Sequence, residues 1–286
     1  WVVPKLSVRG YFLLAGTIGL VISGGLFIVE ASSLRYIDVG TLGGMLLIVP
    51  AGLFTATLLL TETAEWALSL WRKKRKPEIS GGLTHFPRVS IHVPTHDEPP
   101  LMVMQTLNAL ARLDYPNFEV IVLDNNTADD SLWRPVASHC EALGPRFRFY
   151  HFDNVKGFKA GALNKALELT DPSTQFIAVI DSDYQVAPHW LRSVMPGFDD
   201  PKVGIVQAPQ DYRDGKESLF KSFLYEEYTG FFRIGMVERA EHNAIIQHGT
   251  MCVIRREAMD RIGGWAEWCI TEDTEFGLRV FEAGYM

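Results

Sequence analysis

Phe176 to Asp183 reads FIAVIDSD. Ile177 to Ile180 are four apolar residues in a row, the pattern of a short buried strand, and Asp181 and Asp183 project from one side of the extended chain just past its end. Two carboxylates at the end of a parallel strand make a seat for a hard divalent cation, and a cation so held can carry a diphosphate. A bare D-x-D is weak on its own: with each acidic residue at roughly 6% usage it arises about once by chance in a chain this long. A solvated acidic turn is the competing explanation, and the surrounding chain decides between the two.

On both sides of this stretch, strand-like runs alternate with helix-like ones. Val89 to Val93, Phe118 to Leu123, Phe147 to Phe152 and Val203 to Gln207 join Phe176 to Ile180 as predicted strands; Pro99 to Leu113, Asp130 to Leu143 and Lys159 to Leu169 are the predicted helices between them. That rhythm predicts an α/β domain with a mostly parallel sheet, in which ligands gather beyond the C-terminal ends of the strands. Pro94 to Glu98 follow the first strand, Asp124, Asn125 and Asn126 the second, Lys159 and Gly161 the third, and Asp181 and Asp183 the fourth. Carboxylates, an imidazole and a lysine on one edge suit a nucleotide with a metal-bound diphosphate, with Lys159 and a helix N-terminus supplying positive potential.

Upstream the composition changes. Tyr11 to Val29 and Thr41 to Leu60 are uncharged and each long enough to cross the hydrocarbon core of a bilayer. Lys5 and Arg9 precede the first run, Arg35 lies between, and Arg72, Lys73, Lys74, Arg75 and Lys76 follow the second, so the positive-inside rule places both ends in the cytoplasm. Trp66 and Trp71 suit the headgroup region, and Gly40 with Gly44 form a small-x-x-x-small pair. A signal peptide is a poor reading, because a second span follows so closely. The polar linker from Pro77 to Pro87 then divides the chain into a transmembrane hairpin with its basic flank, residues 1–76, and a globular α/β domain, residues 77–286. A formal net charge of −7 offers no nucleic-acid footprint. The three cysteines, Cys140, Cys252 and Cys269, lack metal-ligand or C-x-x-C spacing and read as reduced core thiols. Phe220, Phe223, Leu224, Tyr228, Phe231 and Ile234 recur at three- and four-residue spacing, one apolar helical face whose default position is core, with a membrane interface or a polymer route as the alternative.

Six ordered motifs then make a resemblance specific: VPTHDE at 93–98, VLDN at 122–125, KAGALN at 159–164, DSD at 181–183, HGT at 248–250 and TED at 271–273, with RREAMDRIGGW at 255–265 between the last two. In order and spacing they resemble family 2 glycosyltransferases, especially the processive membrane branch of cellulose, hyaluronan and β-glucan synthases. Within that branch the chain looks most like the bacterial NdvB-type β-(1,3)-glucan synthases. The resemblance implies a GT-A-type fold, a bacterial inner-membrane, multi-pass protein with a cytoplasmic catalytic domain, and inverting transfer of glucose from UDP-glucose to a growing β-glucan acceptor. It implies roles by position. Thr95, His96 and Glu98 lie where the family binds nucleobase and ribose, with His96 in place of a frequent Tyr. Asp124 matches the uridine-contacting acid, and Asn125 stands where many relatives carry a second one. Lys159 matches a diphosphate contact. Asp181, Ser182 and Asp183 match the donor and metal positions, with Asp181 and Asp183 as ligands of Mg2+ or Mn2+. His248, Gly249 and Thr250 match the loop beside the acceptor sugar, and Asp273, supported by Thr271 and Glu272, matches the general base. An inverting transfer needs such a base to take the acceptor's hydroxyl proton, and a cation to stabilise charge on the departing nucleoside diphosphate.

A Q-x-x-R-W motif, carried downstream of T-E-D by processive relatives, does not occur before Met286. The chain therefore reads as a slice, stopping inside a helix taken to continue, and is expected to polymerise little by itself. The alternatives are a non-processive family 2 transferase acting on a lipid or short saccharide, and a catalytically silent subunit of glycan synthesis. The acids kept in both DSD and TED argue against the silent one. A channel is disfavoured, because neither span carries a charge.

Overall fold

The computed structural model describes residues 8–33, 38–69, 83, 85–241 and 243–286. Lys5, Arg35, Trp71, the basic run Arg72 to Lys76 and most of the linker at 77–87 lie outside the described residues. The chain forms two compact units, Trp1–Lys76 with Asp211–Ile245, and Pro77–Gln210 with Ile246–Met286.

The second unit is built on a six-stranded sheet. Its strands are β1 (Val89–Thr95), β2 (Phe118–Asn125), β3 (Phe147–Phe152), β4 (Phe176–Val179), β5 (Ile205–Gln207) and β6 (Cys252–Arg255), in the order β3-β2-β1-β4-β6-β5. β1 pairs in parallel with β2 and β4, and β2 in parallel with β3; β6 runs antiparallel between β4 and β5. Successive side chains of a strand face opposite ways, and the two faces have separate cores. Ile91, Val93, Val120, Val122, Ala178 and Ile180 pack on one face with Leu107 and Leu110 of α3 (Pro100–Ala111), Val136 of α4 (Asp130–Leu143) and Trp190 of α6 (Trp190–Val194). Ile177, Val179 and Ile254 pack on the other with Leu163 of α5 (Phe158–Leu169), Met259 of α9 (Arg256–Ile262) and Phe276 of α10 (Glu272–Glu282). Each such fully buried aliphatic side chain contributes roughly 1.5–3 kcal/mol of transfer free energy, and helices on both faces are what a near-continuously apolar parallel strand requires.

The four parallel strands fall where the apolar runs place them. β6 is not among the predicted strands: CVIR is only four residues long and passes directly into α9, with no turn residues between. The last helix also ends sooner than its sequence reads. α10 stops at Glu282, Gly284 takes φ +89°, and Met286 returns to the edge of β5, its N–H donating to Lys202 O at 2.8 Å and its carbonyl accepting from Gly204 N at 2.8 Å.

In the other unit, α1 (Val8–Ser33) and α2 (Val39–Ser69) pack together, and within them Arg9–Glu30 and Leu42–Ala67 are long and apolar enough to cross a membrane. Among their outward apolar side chains, Phe12, Phe27, Leu47 and Phe54 are at least two-thirds exposed. The hydroxyls of Thr55, Thr57 and Thr61 donate to carbonyls four residues back at 2.8–2.9 Å, which satisfies them without solvent. A β-carbon on Gly44 would meet nothing within 4 Å, and one on Gly40 would meet only Asp38 Oδ1, at 3.5 Å, so no described residue of another helix seats against the glycine pair.

The aromatic segment reads from sequence as core but is not packed that way. α7 (Leu219–Gly230) has no buried residue, with Phe220 71% and Phe223 65% exposed. A turn of π-helix, Phe231–Gly235, joins it to α8 (Met236–Glu241). Arg239 there donates to Glu65 near the end of α2 at 3.0 Å.

Candidate donor and transfer site

The C-terminal ends of β1, β2 and β4 open into a cleft of about 970 Å³ lined by Thr95, His96, Glu98, Asn125, Lys159 and the run Asp181 to Asp183. Its walls are held by backbone geometry that these residue types permit. Asp97 and Asn126 take φ values of 54° and 61°, a left-handed conformation in which Asn and Asp are enriched. Asn126 is clamped to the opposite wall: its Nδ2 donates to Val155 O at 2.8 Å and its Oδ1 accepts from Val155 N at 2.9 Å. Gly161 in KAGALN has a packing reason, since a β-carbon there would lie 1.7 Å from Lys156 O.

At one end of the cleft, His96 Nδ1 lies 2.6 Å from Asn125 O. A carbonyl only accepts, so Nδ1 carries the proton, while Nε2 lies 3.5 Å from Asp97 Oδ2. Asp124 is buried, and its carboxylate is held from three sides: Oδ1 accepts from Thr95 Oγ1 at 3.0 Å and Thr127 Oγ1 at 2.8 Å, and Oδ2 lies 2.7 Å from His151 Nδ1. Thr95 thus lines the cleft and also donates to the carboxylate of Asp124. Ser182 is buried, and its carbonyl accepts from Thr106 Oγ1 at 2.7 Å, which fixes the middle of DSD to α3.

At the other end, Lys159 gathers groups from three places in the sequence. Its ammonium lies 2.6 Å from Asp181 Oδ1 and 3.8 Å from Glu272 Oε1, and donates to Gly249 O at 3.1 Å. Burial alone would lower the Lys159 pKa, but Asp181 and Glu272 outweigh it and hold the amine above its usual range. Burial raises Asp181, and neighbouring Asp183 and Asp273 add to the rise against the pull of Lys159. Burial likewise raises Glu272. Two carboxylates, Asp181 and Glu272, act on the ammonium, and Asp273 bears in turn on both of them.

Gly249 has φ +56°, and a β-carbon on it would crowd both Asp273 Oδ2 and Lys159 Nζ. Thr250 Oγ1 accepts from Asp181 N at 2.9 Å, so HGT is hydrogen-bonded directly to DSD. Gln207 splints the same loop, donating to Thr250 O at 2.8 Å and accepting from His248 N at 3.3 Å. Asp273 sits in the first turn of α10, its Oδ1 accepting from Thr274 N at 2.7 Å. Thr271 precedes that turn with its side chain exposed, 3.3 Å from Cys269 Sγ.

Among the described residues no three His, Cys, Asp or Glu side chains form a ready-made metal cage. The donor set does fit Mg2+ or Mn2+ brought in with a diphosphate, since such ions take one or two carboxylates and complete their shell with phosphate and water. Thr127, His151 and Gln207 take part in the site without having been singled out in the sequence. Thr127 lies three residues past Asp124, whereas the other two become legible only once the strand order is known.

An α/β sheet of this order with a nucleotide-sized cleft, a D-x-D at its centre and a further acid on a helix beside it defines a glycosyltransferase of the GT-A type. Residues 90–263 match the model of Glycosyl transferase family 2, and the chain belongs to that family. It is 31% identical over 207 residues to a cellulose synthase catalytic subunit (UDP-forming) of Pseudomonas fluorescens, covering 70% of this chain and 27% of that protein. It is 32% identical over 207 residues to a beta-monoglucosyldiacylglycerol synthase of Nostoc sp., covering 71% of this chain and 42% of the relative. The chain therefore spans less than half the length of either relative. Among solved structures, the mannosyltransferase PcManGT of Pyrobaculum calidifontis, in complex with GDP-Man and Mn2+, superposes with a TM-score of 0.61 at 25% identity over 85% of this chain and 64% of its own. Staphylococcus aureus TarS 1-349, at TM-score 0.51 and 17% identity over 68% of this chain and 55% of its own, shares the fold.

Proposed function

We propose that the chain is the catalytic part of a membrane-bound, inverting, metal-dependent glucosyltransferase that uses UDP-glucose to extend a β-glucan, with β-(1,3) as the linkage. The observation that carries the reading is the meeting of DSD, KAGALN, HGT and TED around the Lys159 ammonium, with Asp181 at 2.6 Å and Glu272 at 3.8 Å. In this reading Asp124, Thr95, His96 and Glu98 hold the uridine, and Asp181, Asp183 and Lys159 face the diphosphate. The loop His248, Gly249 and Thr250 borders the acceptor. Asp273 removes the proton from the acceptor hydroxyl as its oxygen attacks the anomeric carbon from the face opposite the diphosphate, so an α-linked donor gives a β-linked product. Lys159 stabilises charge that grows on the departing diphosphate, more in the transition state than in the bound donor. Asp181 and Asp183 would hold Mg2+ or Mn2+, which would neutralise the same diphosphate when bound. The two apolar helices fix the enzyme in the inner membrane with the sugar-transfer domain on the cytoplasmic side.

The full-length protein in membranes, given radiolabelled UDP-glucose and Mg2+ beside an Asp273→Asn variant, tests this. Polymer made by the parent, lost in the variant and cut by a β-(1,3)-glucanase is the expected result; incorporation only from another nucleotide sugar would overturn the substrate. Similarity to the glucosyldiacylglycerol synthase, equal in extent to that with cellulose synthase, favours one second reading, transfer of a single glucose to a lipid. Label that partitions into organic solvent and resists glucanase would establish it.

A further inference from the structure

Thr95, Asp124 and His151 are register partners on three adjacent strands, a row across the C-terminal edge of the sheet. His151 bridges two carboxylates: Nδ1 lies 2.7 Å from Asp124 Oδ2 and Nε2 lies 3.0 Å from Asp153 Oδ1. Ionised carboxylates only accept, so both ring nitrogens donate and the ring is an imidazolium. Burial opposes that charge, but the hydrogen bonds to Asp124 and Asp153 outweigh it and raise the ring's affinity for its proton. Trp133 stacks on the imidazole at 4.3 Å and 13°, and Arg134 caps the indole at 4.6 Å. The indole covers one face of the imidazole, and the two hydrogen bonds hold the ring in its plane beside Asp124.

We infer that His151 is the positioning residue that turns Asp124 into a fixed single acceptor for the nucleobase, and so sets a preference for uracil. The inference rests on the reading of Asp124 as the nucleobase contact. A carboxylate offers about four lone-pair sites, and Thr95, Thr127 and His151 take three of them. What remains is one acceptor site on a buried carboxylate whose register partner Thr95 and chain neighbour Asn125 line the cleft. One fixed acceptor complements a base edge with a single imino N–H between two carbonyls. It meets a ring-nitrogen lone pair on cytosine, and it leaves one of the two adjacent N–H donors of guanine unmatched. Without His151, Oδ2 regains freedom to turn and to accept from other partners, and discrimination falls although the diphosphate contacts stay in place.

The test is binding of UDP, CDP, GDP and pyrophosphate, each with Mg2+, to the full-length protein in detergent. His151→Phe keeps a ring for Trp133 and removes both donors; His151→Asn keeps a donor near the Nδ1 position. UDP affinity is expected to fall about tenfold or more in the Phe variant, the magnitude of a charge-assisted hydrogen bond. Its UDP-to-CDP ratio should fall towards one while pyrophosphate affinity is unchanged, with partial recovery of both UDP affinity and the ratio in the Asn variant. Asp153→Asn, at an exposed side chain, gives a smaller shift in the same direction and serves if the Phe variant does not fold. An unchanged UDP-to-CDP ratio in a folded variant overturns the role of His151 alone. If the wild type binds pyrophosphate but shows no nucleobase preference, the assignment of Asp124 fails, and this inference with it.

Discussion

Lys159 and Asp273 flank the same glycine: a β-carbon on Gly249 would lie 3.2 Å from Lys159 Nζ and 3.1 Å from Asp273 Oδ2. The Lys159 ammonium and the Asp273 carboxylate, which the proposed function assigns to the diphosphate and the acceptor, are therefore spaced by an absent side chain. The φ of +56° at Gly249 adds a second demand, because an L-residue there is strained by roughly 1–2 kcal/mol. Gly249→Ala is expected to lower kcat by at least about a hundredfold, since ångström-scale displacement of reacting groups costs that much, while thermal stability falls only by the backbone strain. Glycosyl transfer assays paired with thermal melts of the full-length protein check this; near wild-type turnover would show that the loop does not set the spacing.

The pairing of Lys159 with Asp181 leads to a second expectation. Asp181 and Glu272 already have raised proton affinity through burial. Lys159→Met removes the opposing charge, so the proton affinity of Asp181 and Glu272 should rise further and the cluster should hold a cation less well. The donor kcat/KM is expected to fall by about a hundred- to a thousandfold, with a higher Mg2+ requirement. Titrating activity against Mg2+ in both proteins measures it, and an unchanged Mg2+ midpoint would separate Lys159 from the metal site.

How far the sequence exposed these relationships depends on their range. The strand that ends in DSD is the most legible, because Ala178 and Ile180 serve one face of the sheet and Ile177 and Val179 the other, leaving an unbroken apolar run. The acids past the strand ends follow from the same reading. The contact of Lys159 with Gly249 spans 90 residues and that of Asp124 with His151 spans 27; no local periodicity encodes either. Ordered motifs point to the first, and the second needs the knowledge that β3 lies beside β2. The face of α7 failed for a different reason. Spacing shows that Phe220 and Phe223 share a side, but spacing does not say what covers it, and in the structure both are exposed.

His92 supplies a prediction about folding rather than catalysis. It lies on β1, fully buried, with Nε2 2.8 Å from Thr170 Oγ1. That hydroxyl gives its own hydrogen to Ala166 O at 2.8 Å, so the imidazole donates through Nε2 and is neutral, with Nδ1 lacking a partner among the described residues. Burial, reinforced by the charges of Arg256 and Arg148, lowers its pKa from 6.5 to about 3. Between those values the unfolded chain binds a proton that the folded chain refuses, so stability rises with pH across this window and is lost as pH falls below 6.5. The slope from one such group reaches about 1.4 kcal/mol per pH unit. His92→Leu removes the titration. At pH 7.5 it should cost about 1 kcal/mol for the lost bond to Thr170, whereas near pH 4.5 the variant should equal or exceed the wild type. Urea melts of the full-length protein across that range provide the comparison, and parallel stability curves for the two proteins would show that His92 does not control the acid limb.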